Sequence, residues 1–315
     1  MPATGIRKCP ACASPARGGV NQENEGKLMQ TDRGAWITAI IGHFVASSNE
    51  NTLNTPTGEK AFDPPLVGFS TGSDPLYDEY VSHIGDFYLR PIDIFNRAFP
   101  EEAPVSPGAL TVISWVLPST PHTRYDQAVE TKRPSERWVY LRHHGEHFNE
   151  ALRRHVVKEL SEAGIQAVAP VLAPFWSKSS QGPYAPCSNW SERHAAYAAG
   201  LGTFGLCDGL ITPVGKAMRT GSVVARVSIA PSPRPYTDRH AYCLFYSHGT
   251  CGKCMARCPV KAISNAGHDK TRCKQYTNVK MNSFIRETYG ISTFACGLCQ
   301  AGVPCTNHIP DPDEG

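Results

Sequence analysis

The sequence has no run of eighteen apolar residues, so no membrane-spanning helix is expected. Its most apolar stretch, Trp36 to Ser48, is too short to span and carries His43 at its middle. It reads as an amphipathic or buried helix. The N-terminal residues hold neither a hydrophobic signal core nor a twin arginine, which makes the cytoplasm the expected compartment. Neither sign of charge is in large excess. The 31 Lys and Arg against 28 Asp and Glu leave +3, too mild a balance to indicate a nucleic-acid partner. Apart from His143-His144, the 12 histidines are scattered without a ligand spacing such as His-Glu-x2-His.

Cysteine is abundant, and its spacing is the main chemical signal. Eight of the 12 cysteines fall in two sets, Cys243-x7-Cys251-x2-Cys254-x3-Cys258-Pro259 and Cys273-x22-Cys296-x2-Cys299-x5-Cys305. Each set is a Cys-x2-Cys pair with one cysteine before it and one after. That count suits two 4Fe–4S clusters with four thiolates each. In two-cluster ferredoxins the cysteine before proline ligates the other cluster. Applied here, Cys243, Cys251, Cys254 and Cys305 hold one cluster, and Cys258, Cys273, Cys296 and Cys299 hold the second. Gly252 and Gly297, inside the two Cys-x2-Cys pairs, suit loops that need permissive backbone angles. Structural zinc and a disulfide framework are the competing readings of such cysteines. Cys9 and Cys12 form a further pair in the lead-in, read as an exposed pair without a partner set.

At 315 residues with 41% hydrophobic and 19% charged residues, the chain suits one large globular domain and a smaller one. Residues 1–34 read as an irregular lead-in, 35–235 as an α/β domain, and 236–315 as a ferredoxin-like module. Leu110 to Leu117 is a β-branched run stopped by Pro118 and reads as a buried strand. Phe148, Leu152, Val156 and Leu160 mark one face of a helix ending near Gly164, with Arg153, Arg154, Lys158 and Glu159 on its other faces. Ile165 to Ala169 reads as a strand. Asn189 to Ala199 reads as a helix, and Gly221 to Ala230 as a strand before the stiff Pro231-Ser-Pro-Arg-Pro235 boundary. Strand, helix and strand in this order indicate an α/β layer.

The order of motifs resembles a known family. A helix with Glu192-Arg193, then Ala199-Gly-Leu-Gly-x-x-Gly205, then Gly221-Ser222, then two ferredoxin sets is similar to epoxyqueuosine reductase and, more distantly, to the reductive dehalogenases. Gly145-Glu-His-Phe-Asn149 entering the amphipathic helix is similar too, and the resemblance covers roughly residues 105 to 308. It implies a cobalamin held by the α/β domain and reduced through the clusters. Gly200, Gly202, Gly205, Gly221 and Ser222 would line the corrinoid. A ferredoxin or flavodoxin would donate electrons, and a small molecule or modified nucleoside would accept them.

The chain also departs from the family. Leu206-Cys207 stands where Lys-Asn is usual, and the second set ends Cys-x5-Cys. The stretch Ala185 to Trp190 lacks the acidic residue that serves as proton donor, which tells against a tRNA substrate. Cys187, His194 and Tyr197 are the remaining proton-donor candidates there. Each has an ordinary structural reading, and Cys187 and Cys207 read by default as inert buried thiols. His143-His144, beside Arg142, reads as a surface pair rather than an axial ligand. The alternative to a reductase is an electron-transfer or corrinoid-reducing protein with no substrate chemistry of its own.

Overall fold

The computed structural model describes the backbone from Gln22 to Gly315 and side chains from Arg33 on; Cys9 and Cys12 lie outside the described residues. The fold is α/β, built on a four-stranded sheet in the order β1, β2, β8, β3. The strands are β1 (Leu66–Thr71), β2 (Thr111–Pro118), β3 (Ala167–Val168) and β8 (Met218–Ala225). Every neighbouring pair is antiparallel, with Ile113 opposite Val223 and Val112 opposite Val224. β2 and β3 both run against β8, so they are parallel to each other. The expected strand, helix, strand unit is therefore present with β8 inserted between its two strands. The predicted Gly221–Ala230 strand begins three residues earlier and ends at Ala225.

Alternation along β2 and β8 feeds two cores. Ile113, Trp115, Leu117, Val223 and Ala225 face one, with α1 (Gln22–Ser47) and α5 (Glu136–Glu162). Val112, Val116 and Val224 face the other, with α2 (Leu76–Ile84), α3 (Pro91–Ala98) and α6 (Glu192–Ala198). A strand buried on both faces reads as a continuous apolar run, which is why β2 was visible in the sequence. α1 begins well inside the stretch expected to be irregular. It buries Ile37, Ile41 and Val45, one every four residues, against α5.

α5 starts at Ser135, whose hydroxyl accepts a hydrogen bond from the Trp138 amide. Phe148, Leu152, Val156 and Leu160 are fully buried, at about 1.5–3 kcal/mol of hydrophobic stabilisation each. Arg153 corrects the sequence reading. It points inward, not to solvent, and is only 2% exposed.

The last quarter packs into the same body. It contains α7 (Leu244–Ser247), α8 (Lys253–Ala256), α9 (Lys270–Gln275) and α10 (Asn282–Tyr289), with a π-helical segment at Tyr276–Met281 joining the last two. Tyr276, Met281, Ile285 and Ala295 share a core with Trp138 and Val139 of α5. Gln127 on α4 (Pro121–Val129) donates to the Cys296 carbonyl at 2.8 Å, and Arg257 reaches the Gln127 and Glu130 carbonyls. No helix among the described residues is long and apolar enough to cross a membrane.

Candidate metal centre and adjoining cleft

Cys243 precedes α7, Cys251 lies in the following loop, and Cys254 is on α8. Cys305 arrives from the far end of the second set. All four line one small cavity, together with Leu206, Ile211, Lys216 and Val303. This is the grouping that the proline rule gives for the first cluster. Cys296 is electrostatically close to Cys273 and Cys258, and Tyr276 is close to both Cys296 and Cys258. Those three belong to the second expected group. The ten cysteines among the described residues are all free thiols, so no disulfide framework is present there. The donor set, with four soft sulfurs on one cavity and further cysteines beside it, fits iron–sulfur ligation.

Backbone donors already point at ligand sulfur. The Ala262 amide lies 3.1 Å from Cys258 Sγ, and the Leu298 amide donates to Cys296. Gly297 adopts φ +68°, and a side chain there would collide with the Trp138 indole. Gly252 differs from its expectation. Its φ is −146°, open to other residues, and its neighbour is the Met255 methyl. His268 bridges the loop of the α/β domain to the second group. It contacts Asp208 at 3.0 Å and hydrogen-bonds Cys273. Burial alone would lower its pKa, but these two partners raise it to about 10.

Cys207 is buried, as its default reading has it, but it is not isolated. It hydrogen-bonds both Cys254 and Cys299, one from each set, and these contacts hold its pKa well below the usual thiol value. Lys216 Nζ lies 3.5 Å from Cys207 Sγ. Burial would lower the lysine pKa, yet the sulfurs of Cys207, Cys305, Cys254 and Cys299 raise it well above normal. Neither residue sits in a recognisable motif, and only the tertiary fold brings them to the cysteine sets. The departure from Lys-Asn at 206–207 was the one available signal.

The residues expected to line a corrinoid each pack against protein on one side. A side chain at Gly200 would meet the Pro233 carbonyl, and one at Gly202 the Ile211 carbonyl. Gly205 abuts the Ile211 side chain, and Gly221 lies under the Trp115 indole opposite it in β2. Ser222 accepts from Trp190 Nε1 at 3.0 Å and makes a short hydrogen bond to Glu192. Glu192 in turn pairs with Arg153 at 3.1 Å, and Arg153 with Glu146 at 3.3 Å.

His194 and Tyr197 share α6 and flank the Phe204 ring, with centroids 4.8 and 5.8 Å away. Burial drives the His194 pKa down to about 3, and Nδ1 contacts the Ser191 hydroxyl at 2.8 Å. It is a neutral imidazole at ordinary pH. Burial raises the Tyr197 pKa, so its phenol stays protonated. Cys187 lies apart, on the short hairpin of Lys178–Ser179 and Cys187–Ser188, with its thiol toward the Gln181 carbonyl at 3.5 Å. Burial raises its pKa as well. His143, His144 and His147 form a separate group along α5, with ligand nitrogens within 4.8 Å.

No family model matches the chain, and no curated protein matches it. Solved structures with a similar course include a catabolic reductive dehalogenase, at 15% identity and a TM-score of 0.48, covering 92% of this chain and 39% of that one. An epoxyqueuosine reductase from Bacillus subtilis matches at 18% identity and a TM-score of 0.39, over 80% of this chain and 66% of that one. An epoxyqueuosine reductase with a tRNA-Tyr epoxyqueuosine-modified stem loop matches at 17% identity and a TM-score of 0.40, over 92% and 70%. The chain thus spans about two-fifths of the dehalogenase, 39% of its length. The two groups of proteins named by these structures are the two that the motifs resemble.

Proposed function

We propose that this chain is a cytoplasmic iron–sulfur reductase that carries single electrons through two 4Fe–4S clusters, one on Cys243, Cys251, Cys254 and Cys305, the other on Cys258, Cys273, Cys296 and Cys299. The observation that supports it is the convergence of Cys243, Cys251, Cys254 and Cys305, drawn from both sets, on one cavity. A cluster supplies one-electron exchange when bound. The chain supplies thiolates, amide donors to sulfur, and burial, which together set the potential. The crossed ligand sets keep the two groups adjacent, through Cys254, Cys207 and Cys299.

A ferredoxin or flavodoxin is the proposed donor. The acceptor is a small molecule or modified nucleoside, and Tyr197 and Cys187 are the candidate proton donors, since burial keeps both protonated while His194 is a neutral imidazole. Cobalamin is the intermediate acceptor that the motif resemblance implies. Gly200, Gly202, Gly205, Gly221 and Ser222 are the residues that would line it, and no step is routed through it.

The test is anaerobic reconstitution with iron and sulfide. About eight iron per chain is expected, falling to about four in Cys251→Ala. Zinc in place of iron would defeat the reading. Hydroxocobalamin added to the loaded protein then separates the two classes of function. A visible spectral change on binding supports a corrinoid reductase. Its absence, with rapid electron exchange retained, supports an electron-transfer protein without substrate chemistry.

A further inference from the structure

Lys216 is the one buried ammonium among the described residues whose partners are sulfurs. It is 3% exposed, a state that lysine rarely occupies without a counter-charge. Its Nζ donates to Cys207 Sγ at 3.5 Å and to the Cys305 side chain. The charges that act on it most are those of Cys207, Cys305, Cys254 and Cys299. It also lines the cavity shared by Cys243, Cys251, Cys254 and Cys305.

The backbone fixes this position from both sides. The Lys216 amide donates to the Cys305 carbonyl at 3.0 Å, and the Ala217 amide to the Thr306 carbonyl at 3.4 Å. Gly215, at φ +78°, lets the Thr306 carbonyl approach where a side chain would collide. Thr212 closes the turn by donating to the Gly215 carbonyl at 2.7 Å. The Lys216 backbone is therefore held by that of Cys305, and burial excludes the solvent that would screen the ammonium.

We propose that Lys216 is a fixed counter-charge that raises the reduction potential of the cluster on Cys243, Cys251, Cys254 and Cys305, with Cys207 as the thiol that orients it. This inference rests on the two-cluster reading. Reduction adds one negative charge to a cluster already surrounded by four thiolates. A positive charge within hydrogen-bond reach of the Cys305 sulfur, and lining the cavity of the other three, stabilises the reduced form more than the oxidised form. The cluster beside Lys216 then fills with electrons before its neighbour. In that order it is a positioning residue for electron flow, acting on the cluster and not on substrate.

The experiment is a redox titration of the full-length, anaerobically loaded protein, followed by electron paramagnetic resonance. In Lys216→Gln the iron content is expected to stay near that of the wild type. One midpoint potential should fall so that the reduced-to-oxidised ratio at a fixed potential drops at least tenfold, about 59 mV for a one-electron couple. The second should move less, and Lys216→Arg should restore the first. Unchanged potentials in loaded Lys216→Gln overturn the inference while leaving the two-cluster reading standing. A wild type that takes up no iron overturns that reading instead. If Lys216→Gln does not load, Cys207→Ser decides. Full iron with a raised potential fits a sulfur that shares the ammonium with the cluster, and full iron with an unchanged potential overturns the assignment. A loss of iron makes Cys207 a ligand and overturns the assignment.

Discussion

Removing Arg153 should be the most damaging single change to the α/β domain that leaves every cysteine in place. Arg153 is 2% exposed, and its guanidinium bonds Glu192 through two nitrogens, at 3.1 and 3.2 Å. It also reaches Glu146 and the Thr220 carbonyl, each at 3.3 Å. Glu192 keeps only the Ser222 hydroxyl when the arginine is lost. Burial already raises the Glu192 pKa, so an uncompensated carboxylate there is expensive. Breaking a buried pair from one side costs about 3–5 kcal/mol, and Arg153→Met is expected in that range. Glu192→Gln leaves Arg153 with Glu146 and keeps neutral acceptors in place, so it should cost less, about 1.5–3 kcal/mol. The double variant should be less destabilised than the sum of the two, by about 1–3 kcal/mol of coupling. Urea denaturation of the three variants, followed by far-UV circular dichroism, measures all of these. A cost below about 1 kcal/mol for Arg153→Met, or strict additivity in the double variant, would refute the argument that this network holds α5, α6 and β8 together.

Three further outcomes are expected. Cys305→Ser should abolish the same spectroscopic signal as Cys251→Ser, and Cys258→Ser the same as Cys273→Ser; electron paramagnetic resonance of the loaded variants reads this crossed pairing directly. His194 is neutral when folded, with a pKa of about 3, and normal when unfolded, so below pH 6.5 only the unfolded chain takes its proton. Its share of stability should therefore fall with decreasing pH, reaching a loss of about 2 kcal/mol at pH 5, and His194→Gln should flatten that slope in urea titrations. Gly221→Ala drives a methyl into the Trp115 indole and should lower stability by about 1–3 kcal/mol in the same denaturation assay, while Gly164→Ala meets no atom and should suffer only from its φ of +74°.

What the sequence made legible was whatever its local pattern encoded. β2 stood out because an apolar, β-branched run is what a strand covered on both faces requires. The four-residue spacing of Phe148 to Leu160 marked the buried face of α5, and the cysteine spacing marked the donors. Arg153 was misread because periodicity ranks residues by polarity. An arginine one position from Leu152 can turn inward when a glutamate from another helix awaits it. The early start of α1 was hidden for a similar reason, since its first residues are polar and carry no apolar period. Cys207 and Lys216 were illegible because their meaning lies in contacts with residues far along the chain. The glycines before β8 were visible, but the sequence could not say whether a ligand or the protein itself made the close approach. Pro233, Ile211 and Trp115 each make a close approach on one side, at Gly200, Gly202 and Gly221.

The hydrogen bond from Lys216 to the Cys305 carbonyl has a practical side. Cys305, a proposed cluster ligand, is tied into the backbone network that leads to the central sheet, and Met281 and Ile285 share a core with Trp138. The loaded protein's visible colour should then report on the whole molecule. Heating ought to bleach it in the same transition that erases the far-UV signal, with no earlier colourless but folded stage. The chromophore would serve as a built-in thermometer of the sheet several elements away.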